Sequence, residues 1–267
     1  MPRFVSLFIC LATVLVATPF TARAHTPYLQ VLNELSPRSR VVTLDASFAD
    51  RFFVPDVAFD NSVFQVTGPD GKTVAPDTVL PLQTRVVVEH RLSEGMGTWR
   101  FSTGRRLGAQ FRTWELNGEQ GGSRDAEQPM PEGARLLSHF QSVTMAETYL
   151  TQGEPNPVAL APLGEGVELE ALTHPNDLYV GERFEFRVLF DGQPLADQKV
   201  EITEAVAPVD RKPEVVTLMT DDDGRAHFRL ERSGAWLALV RHRAPAPAGA
   251  PVPEYSHSYT LSFVVLE

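Results

Sequence analysis

A chain of 267 residues with 43% apolar content and a formal net charge of −10 can bury a sizeable core, and its acidity disfavours nucleic acid and anionic membrane surfaces as partners. Its one cysteine, Cys10, lies in an apolar N-terminal run, which excludes an internal disulfide and a paired-thiolate metal site. Any metal must then be held by histidine, carboxylate or amine.

The first element is a targeting segment. Arg3 gives a basic start, Phe4 to Phe20 form an apolar run, and Ala22-Arg23-Ala24 places small residues at both cleavage positions. This pattern predicts a secretory signal peptide over residues 1–24 and a periplasmic or secreted product with no membrane insertion after cleavage. Cutting there leaves 243 of the 267 residues, beginning at His25, and the loss of Arg3 and Arg23 takes the net charge from −10 to −12.

From there the sequence alternates. "RVVTLDASFAD", "SVFQVTGPDGKTVAP" and "QTRVVVEHRL" are rich in β-branched and aromatic residues and predict strands, with a hairpin turn at Pro69-Asp70-Gly71. The polar stretch 117–135, punctuated by Gly and Pro, predicts a surface loop. Residues 136–153 fit either a strand pair or one short helix face formed by Leu136, Phe140 and Val143. "GEPNPVALAPLGEG" reads as a linker.

Beyond the linker, turns at Asp191-Gly192, Asp223-Gly224 and Ser233-Gly234 separate further strands, and a Pro-rich stretch, 243–255, predicts a long loop before the last one. "TDDDG" lacks the ligand spacing of an EF-hand loop and reads as a hairpin turn. "GMGTWRFST" and "RSGAWLALV" each place Gly two residues before a Trp that opens a strand, a short echo between the halves. Together these predict an all-β chain of two β-sandwiches, residues 25–160 and 161–267, the second Ig-like or transthyretin-like.

Seven histidines carry the functional question. Cleavage after Ala24 would give His25 a free α-amine beside its imidazole, a chelating pair for Cu, Ni, Co or Zn. A site built on successive backbone amides is excluded, because Pro27 has no N–H. Strand parity puts His227 on a solvated face and His90 on a packing face, and sets His242 and His257 at sheet rims as the expected partners of His25. His242 and His257 are equally consistent with packed rings satisfied by backbone carbonyls, and His139 and His174 are second-tier candidates.

"AHTPYL", "THPNDLYVGERFEFRVLFDGQPLADQKVEI", "TDDDGRAHFRLERSGAWLALVRHR" and "SHSYTLSFVV" together resemble a domain family of unknown function whose members are described as periplasmic components of nickel or cobalt uptake systems. The resemblance spans essentially the whole mature chain, and His25, Tyr28, Leu29, Gly234, Trp236 and His242 fall on its pattern. The insertion "APAPAGAPVP" departs from that pattern, with the expectation that it lifts His242 away from His257.

Three functions follow as expectations. The first is a non-enzymatic accessory protein that captures nickel or cobalt, or else copper, on His25, His242 and His257 and passes it to a membrane transporter. The second is an interaction module of two sandwiches that docks to an envelope partner and holds no metal. The third is a copper oxygenase built on a histidine brace with Tyr259 as axial group; no sequence motif supports an enzyme.

Overall fold

β-Branched and aromatic residues at every second position form strands wherever Gly, Pro, Asn or Asp punctuation bounds them. The computed structural model describes residues 25–32, 39–125, 127–206 and 212–267. The expected signal peptide, with Cys10, lies outside the described residues.

The first half contributes β1 (Thr26–Val31), β2 (Val41–Ala49), β3 (Val57–Ala58), β4 (Gln65–Thr67), β5 (Thr73–Val74), β6 (Thr78–Pro81), β7 (Val86–Arg91) and β8 (Gly97–Ser102). They are followed by β9 (Arg106–Leu116), β10 (Glu119–Ser123) and the long β11 (Arg135–Gln152). After a 3-10 turn at Val158–Leu160 come β12 (Val167–Ala171), β13 (Arg183–Phe190), β14 (Gln193–Pro194) and β15 (Lys199–Glu204). The chain closes with β16 (Val215–Met219), β17 (Arg225–Arg229), β18 (Gly234–Pro245) and β19 (Glu254–Val265). Among the described residues no helix is long and apolar enough to cross a membrane.

Among the described residues three sheets result. A front sheet runs β1-β2-β7-β6, with β3 beside β2. The central sheet runs β16-β15-β18-β19-β11-β8-β4-β5, and β9 and β10 extend it alongside β11. A back sheet joins β12, β13, β14 and β17. The central sheet passes through both halves because β11 and β19 pair in parallel from Phe140↔Glu254 to Thr148↔Ser262.

Side chains alternate across a strand, so this sheet has two working faces. On one face Leu29, Val42, Leu44, Val86 and Val88 of the front sheet pack against Trp99, Phe101 and Ala146. On the other, Phe184, Phe186 and Val188 of the back sheet pack against Trp236, Tyr259 and Leu261, and also against Met145 and Tyr149 of β11. The chain is therefore all-β, with a first sandwich on one face of the shared sheet and an Ig-like second one on the other. Each core has its own tryptophan, and each tryptophan strand begins at a glycine with positive φ, 136° at Gly97 and 125° at Gly234. The sequence echo marks equivalent places in the two sandwiches.

Where the halves join, Glu147 is 2% exposed and accepts a hydrogen bond from the Tyr259 hydroxyl at 2.8 Å. Burial pushes its carboxyl above the usual range, while the Arg100 guanidinium, 3.8 Å away, acts against that shift. Arg100 also donates to the Ala161 carbonyl at 2.9 Å, tying β8 to the start of the second half.

Several local expectations change. Residues 136–153 are neither a strand pair nor a helix: they form most of β11, held between β8 and β9 on one edge and β19 on the other. The polar stretch 117–135 includes β10, whose hairpin with β9 turns on Asn117 and Gly118, both at positive φ. The Pro-rich loop shrinks to 246–253, because β18 and β19 stay paired out to Pro245↔Glu254. "TDDDG" is a tight turn, in which Asp221 Oδ1 accepts the N–H of Asp223 and of Arg225, but it links strands of different sheets. The turns at Pro69-Asp70-Gly71 and Asp191-Gly192 do close hairpins, the second with both residues at positive φ as a two-residue turn requires.

Replacing Trp236 by Ala is expected to cost about 3–5 kcal/mol of stability, the usual range for removing a buried tryptophan. Because the cores share a sheet, far-ultraviolet circular dichroism and the fluorescence of the remaining tryptophans should report one common urea transition. Two separated transitions would show that the sandwiches unfold independently.

Candidate metal centre

The β1–β2 register pairs Thr26 with Ala49, and continuing it by one step sets His25 beside Asp50. After Asp50 the chain turns tightly, with Arg51 bridged to Val54, and β3 returns along β2. Asp56 therefore comes back next to Asp50. Its N–H donates to the Phe48 carbonyl at 3.0 Å, and its Oδ2 accepts the Asp50 N–H at 2.8 Å. Phe52 and Phe53 anchor the loop by packing edge-on against the buried ring of Tyr28, at 5.9 and 5.5 Å.

Three strand ends thus present one imidazole and two carboxylates. His25 Nδ1 stands 3.4 Å from Asp50 Oδ1 and 3.4 Å from Asp56 Oδ2, with its side chain 43% exposed. All three ligand atoms lie within 4.8 Å of one another. Ligands about 2.0–2.1 Å from a tetrahedral ion sit roughly 3.3 Å apart, so small rotations would let this group share one ion. Nδ1 is also the ring nitrogen from which a chelate ring to the same residue's α-amine can close, and it is the one turned toward the carboxylates.

The structure does not bring the other expected ligands to His25. His242 and His257 are direct cross-strand neighbours on β18 and β19, so the Pro-rich insertion leaves them together. Both rings face Phe190 of the back sheet, at 4.9 and 5.3 Å. The residues that reach β1 alternate with them: Arg241 donates to the Thr26 hydroxyl and Thr260 to the Pro27 carbonyl. The central sheet therefore separates His25 from His242 and His257.

His257 is 6% exposed, and burial, the nearby Arg105 cation and His242 lower its pKa to about 4. His242 is also shifted down by burial, and its Nδ1 lies 3.1 Å from Gln198 Oε1. His174 uses both nitrogens within the fold: Nδ1 accepts the Asn176 N–H at 3.1 Å, which leaves Nε2 to donate to the Thr98 hydroxyl at 2.9 Å. His139 sits half-buried on β11 opposite Arg112. His227 is exposed, and His90 packs edge-on against Phe101. Tyr259 is buried on the His257 face, with its hydroxyl committed to Glu147.

Sequence reasoning missed Asp50 and Asp56. The signal was "DRFFVPD", two carboxylates flanking an aromatic pair, but their approach depends on β3 folding back along β2.

The sequence profile of a family described as a domain of unknown function, DUF4198, matches residues 22–244. No curated protein matches the chain. Among solved structures, the D0-D1 domain of intimin shares 13% identity at a TM-score of 0.20, covering 84% of this chain and 89% of that one. A tetra-tandem repeat in the extending region of a large adhesion protein shares 9% identity at a TM-score of 0.23, covering 91% and 74%. At these scores neither structure bears on function.

The His257 shift has a sign that can be measured. Between pH 6.5, where an unfolded imidazole takes up its proton, and about pH 4, where the folded one does, the unfolded chain binds more protons. Stability from this residue is complete above pH 6.5 and falls as the pH drops toward 4, by about 2–3 kcal/mol. In urea titrations from pH 7 to 4.5, His257→Gln should lose less stability than the parent. Equal losses would remove His257 as a source of acid sensitivity.

Proposed function

Since the chain belongs to the DUF4198 family, whose function is unknown, we propose from the site itself that it captures a divalent transition-metal ion outside the cytoplasm and hands it to a membrane transporter. The observation that carries this reading is the position of His25 Nδ1, equidistant from the Asp50 and Asp56 carboxylates at 3.4 Å. Cleavage after Ala24 would add the α-amine of His25, giving two nitrogen and two oxygen donors. Binding then releases a proton from the amine, so affinity rises with pH. No covalent chemistry is required of the protein.

Nickel or cobalt is the proposed cargo, with copper next, on the strength of the family resemblance. A mixed nitrogen and carboxylate set accords with these ions and also suits zinc, so the donors fix the class of ion rather than its identity. The site is half-open, and both carboxylates are exposed, which suits an ion that is passed on. His242 and His257 are not needed in this scheme.

Calorimetry with Ni²⁺ and Co²⁺ tests the reading on four forms: protein beginning at His25, the same protein with Gly-Pro added before His25, whose proline offers no amide N–H to a metal, the Asp50→Asn, Asp56→Asn double variant and the His242→Gln, His257→Gln double variant. The extension and the carboxylate double variant should each weaken binding at least about tenfold, because each removes ligand groups, while His242→Gln with His257→Gln should leave the affinity unchanged. Absence of binding to the His25-first protein, or equal binding by all forms, would overturn metal capture and leave a non-enzymatic sandwich that docks to another envelope protein.

A further inference from the structure

Parity divides β2 as it divides the central sheet. Val42, Leu44 and Ala46 enter the front core, and Asp45, Ser47 and Ala49 face the opposite way, where Phe52 and Phe53 pack over Tyr28 and Ala49. Asp45 and Ser47 are both buried on that face. The Tyr28 hydroxyl donates to Asp45 Oδ2 at 3.0 Å, and the Arg85 guanidinium lies 3.2 Å from the same oxygen. Asp45 Oδ1 has no hydrogen-bond partner among the described residues.

A buried carboxylate with one oxygen unmet burdens the fold. A phenylalanine at position 28 beside an apolar residue at 45 would fill the same space without that burden. What the arrangement does supply is placement. The Tyr28 ring is the surface on which Phe52 and Phe53 rest edge-on, at 5.9 and 5.5 Å. Ser47, the cross-strand partner of Tyr28, holds the far end of the same loop, with its hydroxyl 2.8 Å from the Val57 carbonyl oxygen. Asp50 lies just before the first of these attachments and Asp56 just before the second. His25 immediately precedes β1, so one stretch of chain carries both the imidazole and the anchor of the loop whose carboxylates face it.

We propose that Tyr28 and Asp45 are positioning residues for the metal site: the hydroxyl–carboxylate bond fixes the Tyr28 ring, and the ring holds Asp50 and Asp56 at chelating distance from His25. Neither residue touches the ion. A loosened loop would have to be ordered as the ion binds, and that ordering subtracts from affinity. This role presupposes metal capture at His25.

Ni²⁺ calorimetry on the protein beginning at His25 and on its Tyr28→Phe, Asp45→Ala and Asp45→Asn variants tests it. Tyr28→Phe, which keeps the ring and drops the hydroxyl, and Asp45→Ala should each weaken binding about tenfold, the low end of the loss when a metal site is deprived of an outer-shell partner. Asp45→Asn, which keeps an acceptor for the hydroxyl, should stay within about twofold of the parent. In the Asp50→Asn, Asp56→Asn background, Tyr28→Phe should change affinity by less than about twofold, whereas a general loosening of the fold would weaken both backgrounds alike. Thermal melts check that each variant folds, and Tyr28→Phe carries the decision should Asp45→Ala unfold. Equal binding by Tyr28→Phe and the parent, or the same loss in both backgrounds, would overturn the positioning role and leave metal capture standing. A parent that binds no Ni²⁺ would overturn metal capture and the positioning role with it.

Discussion

A sheet buried on both faces obliges each of its strands to serve two neighbours with alternate residues, and the central sheet of this protein is governed by that constraint. Along β11, Met145 and Tyr149 belong to the core under the back sheet while Ala146 belongs to the core under the front sheet. Along β18, Trp236, Ala238 and Val240 face one way while Leu237 and Arg241 face the other. A residue's parity decides which sandwich it builds and which site it can join.

The same constraint sorts the histidines. His242 and His257 continue the parity of Trp236 and Tyr259, so they lie under the back sheet against Phe190, where burial keeps them neutral near physiological pH. His25 lies across the sheet at the end of an edge strand, beside two exposed carboxylates. The donors that can meet at one ion are therefore set by the β1–β2–β3 turns and not by the sheet rims. Mixed nitrogen and oxygen ligation at an exposed strand end would accord with the proposed capture and release, while the buried imidazole pair packs against Phe190.

Much of the architecture was legible because alternation and turn chemistry are local. The hairpins at Pro69-Asp70-Gly71 and Asp191-Gly192, the strand parity of β18 and β19, and the matching Gly-x-Trp starts could all be read from neighbouring residues. β11 was ambiguous because a strand buried on both faces loses clean alternation, and its Leu136, Phe140 and Val143 mimic a helical stripe. The candidate metal site was half legible. His25 is marked by its place after the expected cleavage site, but Asp50 and Asp56 approach it only through a strand reversal around Phe52 and Phe53. Two cues were present for the failed partnership of His25 with His242 and His257, namely parity and rim position, and neither says on which face a distant edge strand will settle.

The parallel alignment of β11 with β19 also orders events in time. The strand that completes the middle of the molecule leaves the ribosome more than a hundred residues after its partner. Until it arrives, β11 has an open flank, and the core that Met145 and Tyr149 join lacks Tyr259, Leu261 and Phe263. Such distant closure slows folding.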